Sequence, residues 1–99
     1  MENRVKIMEK QFEIWLEANL NLSESSVKKY CRAIRAIAKD MLEEGVIDKN
    51  LYNISSSLEF ERYLDSIYKS NVFIEKDTRG NRMYSVAMRH YLRFLQTNE

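Results

Sequence analysis

Ninety-nine residues run without one proline, and only Gly45 and Gly80 interrupt them. β-Hairpins depend on glycine-rich turn chemistry, whereas a chain lacking Pro and nearly lacking Gly meets little obstruction to helix. An all-α fold follows, as a compact bundle of four to five helices. A chain of this length forms a single helical domain over residues 1–99, with room for one core of modest size. With 44% hydrophobic and 31% charged residues, it has the balance of an ordinary folding sequence.

Helical periodicity places the elements. Residues 4–20 put Val5, Met8, Phe12, Trp15, Leu16 and Leu20 on one face, with Ile7 and Ile14 one face away. Ser23 stands where a helix N-cap belongs, ahead of a helix over 23–44 that Gly45 can close in a left-handed conformation. Val27, Tyr30, Cys31, Ile34, Ile37, Ala38, Met41 and Leu42 share an arc of about 140° on that helix. Val46, Ile47, Leu51 and Tyr52 then form a connector packed on the core. Ser56 and Glu59 have capping-box spacing and open a helix to about residue 70, with Leu58, Phe60, Tyr63, Leu64, Ile67 and Tyr68 inward. Val72, Phe73 and Ile74 add a short turn of helix, and the polar run 75–81 reads as an exposed loop or the frayed entrance to the last helix. A last helix over 81–95 turns Met83, Tyr84, Ala87, Met88, Tyr91, Phe94 and Leu95 to the interior.

Net charge is only +1, from 16 Lys and Arg against 15 Asp and Glu, so attraction to a polyanion has to come from sorting of charge. Sorting is present. Lys28, Arg32, Arg35 and Lys39 fall within about 60° of the second helix and extend for about 16 Å along it. Arg82, Arg89 and Arg93 share one side of the last helix, and Arg79, Asn81, Tyr84 and Ser85 add donors near its start, where anions are favoured. Lys and Arg hold phosphate through charge-assisted hydrogen bonds and counterion release, which makes these files candidate contacts to duplex DNA. The competing reading is that they are the wet sides of amphipathic helices, paired with neighbouring acids.

Catalytic chemistry finds no footing. His90 is the lone histidine and Cys31 the lone cysteine, so neither a zinc pair of histidines nor a Cys-His dyad on one face is provided for, and both residues are expected to pack. Neither glycine belongs to a phosphate-binding loop, and the carboxylates occupy helix starts and solvated faces. No cofactor and no metal is expected. An apolar run of signal or membrane length is also missing, from which a cytoplasmic location and no membrane partner are expected.

Residues 8–16, then 21–30 with their Leu22-Ser23 turn and Tyr30, then 86–95 with its alternation of small, aromatic and arginine positions, resemble the N-terminal core-binding domain of tyrosine recombinases and phage integrases, the SAM-like helical module. The resemblance implies a helical clamp over duplex DNA, used in recombination, with catalytic Arg, His and Tyr residues supplied by a separate C-terminal domain. By it the chain is an N-terminal module of a larger protein, with Lys28, Arg32, Arg35, Arg82, Arg89 and Arg93 as DNA contacts. Between Ile47 and Ser57, and again over 75–81, the sequence has its own character. The latter half, including the stretch from Arg79 to Ser85, also resembles helical N-terminal domains of bacterial restriction and other defence proteins, a likeness that implies a non-catalytic accessory whose partner is DNA or protein. The alternative function is a protein-interaction or oligomerisation module that docks a partner domain or a second copy through Ile7, Ile14 and the aromatic residues Tyr52, Tyr63 and Tyr68.

Overall fold

A computed structural model describes residues 2–99, with side chains from Arg4 onward. It has five α-helices, α1 (Glu2–Asn19), α2 (Glu24–Glu43), α3 (Ser57–Tyr68), α4 (Asn71–Arg79) and α5 (Met83–Thr97), with a short 3-10 turn at Leu51–Asn53, and no strand among the described residues. Boundaries follow local chemistry. Ser23 Oγ accepts from Ser26 N at 3.2 Å and starts α2, while Gly45, at φ +72°, ends it. Ser56 Oγ accepts from Glu59 N at 3.3 Å, making half of the expected capping box. The other half is not made, because the Glu59 carboxylate turns to Lys49 Nζ at 2.7 Å.

The interior is aromatic. Phe12 of α1 meets the ring of Tyr91 at 5.1 Å edge-on and that of Phe94 at 5.5 Å, and Tyr91 in turn meets Tyr52 at 5.4 Å and Phe60 at 5.1 Å. Four segments distant in sequence are thus tied at one point, each pair adding about 0.5–1.5 kcal/mol beyond its area. The two buried phenols find backbone acceptors: Tyr52 donates to Cys31 O at 2.8 Å, and Tyr91 lies 3.3 Å from both Leu51 O and Ile54 O. Burial pushes both hydroxyls above their ordinary acidity range. Neither is a reactive group; each pins the 3-10 turn to a helix. Cys31 is buried among them, its thiol pushed up to about 12 by desolvation, with Glu9 and Glu13 adding to the shift.

Four expectations are corrected. The run 75–81 is not a loop: α4 continues through Arg79, and Asp77 is only 7% exposed. The last helix begins at Met83 instead of residue 81, because Asn81 and Arg82 both take left-handed backbone, at φ 53° and 66°. Leu58 lies outward at 64% exposure, its core position taken by Ser57, which bonds the Glu99 carboxylate. Leu42, at the margin of its arc, is 38% exposed, while Ala33, outside that arc, is buried against the neighbouring helices. Ile7 and Ile14 are exposed on α1, as their phase requires.

Candidate nucleic-acid interface

All eight basic residues named from the sequence, Lys28, Arg32, Arg35, Lys39, Arg79, Arg82, Arg89 and Arg93, are exposed. They are not equally free. On α2, Arg35 is hydrogen-bonded to Glu9 of α1, which raises its already high pKa, and Lys28 lies 3.4 Å from Glu24. Arg32, Lys39, Arg79, Arg82, Arg89 and Arg93 have no ion pair among the described residues.

The reason for the difference is an acidic ridge on α1. Glu9 and Glu13, four residues apart, border the same shallow groove as Lys28, Arg32 and Arg35, with Cys31 at its floor. Glu13 takes up part of its own charge with Lys10 at 3.2 Å. The α2 file therefore faces carboxylates along this groove, where Arg32 stands without an ion pair among the described residues, and Lys39 lies outside it.

On its opposite flank α2 packs against α5. Tyr30 meets His90 with ring centroids 4.9 Å apart, edge to face, and Lys29 Nζ stands 5.4 Å from the Tyr30 ring centre. His90 is held below its ordinary pKa, first by burial and then by Arg93 and Arg89. Lys29, Tyr30, His90 and Arg93 thus stand at the seam between the two helices. Lys29 escaped the sequence reading because it stands about 100° round the helix from Lys28, outside the file. Only the docking of α5 gives it its neighbours.

Nearer the start of α5 the arrangement differs from expectation. Ser85 N donates to Asp77 Oδ1 at 2.9 Å and Ser85 Oγ donates to the second carboxylate oxygen. The helix start is already capped by a carboxylate from α4, so Ser85 is no donor to an outside anion, contrary to the sequence-based expectation. Tyr84 packs under Lys76 Nζ, 5.5 Å from the ring centre, and Lys76 is itself paired with Asp40 of α2. Arg82 precedes the helix, so the phase that would have grouped it with Arg89 and Arg93 does not apply. It borders instead, with Arg89, an open concavity between α3, α4 and α5. Among the described residues no group of three or more His, Cys, Asp and Glu side chains is placed to hold a metal ion.

A family model of the phage integrase SAM-like domain matches residues 6–61, more than half of the chain, from α1 through α2 and the connector into α3. No match was found among curated proteins or among solved structures.

Proposed function

From the premise that the chain belongs to the phage integrase SAM-like domain family, we propose that it is a non-catalytic module that holds duplex DNA for a recombinase. Lys28, Arg32, Arg35 and Lys39 of α2 form the main grip on the phosphate backbone. Lys29 and Arg93 extend it across the seam, and Arg79, Arg82 and Arg89 are further contacts. The observation that supports this reading is that Arg32, Lys39 and Arg93 are exposed and without carboxylate partners among the described residues, with Lys29 and Arg93 beside the Tyr30–His90 contact. A nearly neutral domain can in this way still present unpaired cations to a polyanion.

Such contacts position the protein on the backbone and read little sequence. With about four to six phosphates engaged, log affinity should fall against log salt with a slope of about −4 to −5. Titration of a labelled duplex at several salt concentrations tests the proposal: no binding at low salt, or binding indifferent to salt, overturns it. The recombination reaction itself belongs to a catalytic domain elsewhere in such proteins. A cytoplasmic setting goes with this reading, and no helix of the described residues is long and apolar enough to cross a membrane.

A further inference from the structure

We infer that the concavity between α3, α4 and α5 is a docking groove for an acidic, amphipathic segment of a partner protein. Its floor is apolar: Leu64 and Phe73 close the bottom, while Tyr68 and Ile74 remain 39% and 45% exposed. At about 560 Å³ it has the size of an ordinary binding cleft. Arg82 and Arg89 stand at its edge, neither with an ion pair among the described residues. The one carboxylate in the lining, Asp77, is fully engaged with Ser85 N and Oγ. The groove therefore offers two unpaired arginines over exposed apolar surface, against one buried carboxylate whose oxygens are turned to Ser85.

A second observation concerns how Arg82 is held. Left-handed backbone at both Asn81 and Arg82 is unfavourable for residues with side chains. It is fixed here by Arg82 N donating to Asp77 O at 2.8 Å and by Met83 N donating to Gly80 O at 3.0 Å. The same residue, Asp77, thus secures the turn with its backbone and the helix start with its side chain, and Arg82 is presented at the groove without freedom to fold away.

Charge complementarity selects the occupant. Duplex backbone could neutralise the two arginines but would leave Ile74 and Tyr68 wet. A helix with apolar residues three or four apart, flanked by Asp or Glu, satisfies both. Every lining residue lies beyond the span matched by the family model. The inference does not rest on the DNA reading: Arg82 and Arg89 are common to both, but Ile74, Tyr68 and Phe73 belong to the groove alone and Arg32 and Lys39 have no part in it.

The test is selection of a displayed library of random 12-residue peptides on the whole chain, followed by binding of the enriched peptides to Ile74→Ser, Arg89→Gln and Arg32→Glu variants whose folding is checked by circular dichroism. The expected result is enrichment of peptides that combine acidic and apolar residues. Their affinity should fall at least about tenfold in both Ile74→Ser and Arg89→Gln and be unchanged in Arg32→Glu. The inference is overturned by no enrichment, by enriched peptides lacking acids, or by peptides indifferent to both groove substitutions. It is equally overturned if duplex DNA binding proves as sensitive to Ile74→Ser as peptide binding, which would assign the concavity to nucleic acid. Loss of DNA binding in Arg32→Glu with peptide binding intact would separate the two sites.

Discussion

The α1–α2 groove and the α4–α5 turn hold the same kinds of side chain and use them in opposite ways. In the first, carboxylates of one helix lie beside cations of the next: Glu9 holds Arg35, and Glu13 stands along the same groove as Arg32. In the second, the carboxylate points inward to a helix start, where Asp77 receives Ser85, and the arginines around it are left to solvent. The availability of a cation for a ligand is thus set by where the neighbouring acid has been spent. A file of arginines on a helical wheel says nothing of this.

The contrast can be broken most forcefully at Asp77. Asp77→Ala leaves two donors of Ser85 without their acceptor at a partly buried helix start, and should cost about 2–3 kcal/mol in urea denaturation at unchanged m-value. A change under about 0.5 kcal/mol would show that this carboxylate does not organise the turn. Next in size, reversing both Arg32 and Lys39 to Glu should lower duplex affinity about tenfold or more at low salt while shifting stability by no more than about 0.5 kcal/mol. Loss of folding in that variant would contradict the exposure of these side chains. Glu9→Gln sharpens the comparison from the other direction: it frees Arg35, should raise duplex affinity about two- to fivefold and steepen the salt slope by about one. The exposed pair itself should contribute less than about 1 kcal/mol to stability.

The smallest effect belongs to His90. Its folded-state pKa lies below the ordinary value of 6.5, so just under that pH the unfolded chain binds more protons than the folded domain. Stability from this group is therefore complete above about pH 7 and drains away as pH falls through 6.5 toward the folded-state value. His90→Gln should flatten that part of the acid slope in thermal melts between pH 7 and pH 5. An unchanged slope would mean that the Tyr30–His90 contact is indifferent to charge.

Elements whose cause is local were legible in the sequence. Ser23 capped, Gly45 turned left-handed, Cys31 lay buried, and the family named from residues 8–16, 21–30 and 86–95 is the one whose model matches 6–61, a span that holds the first two of those segments and not the third. Where reading failed, the cause lay at long range. Residues 75–79 look like a loop because they are polar, yet they are helical because Asp77 has a partner eight residues on and Lys76 has one on α2. Leu58 is the exception: at 100° per residue it stands on the far side of α3 from Phe60 and Ile67, so its exposure was already legible in the phase of the helix. Glu9 carried no sign that it would reach Arg35, a residue 26 positions away.

What the sequence determined alone is the class of fold and the interior, because helical periodicity, the lack of proline and the placing of Ser and Gly at helix ends act through neighbours three or four residues apart. The tertiary structure alone decided which cations are free. Coulomb pairing depends on distances of a few ångströms between helices, and those distances exist only once α1, α4 and α5 have docked around α2.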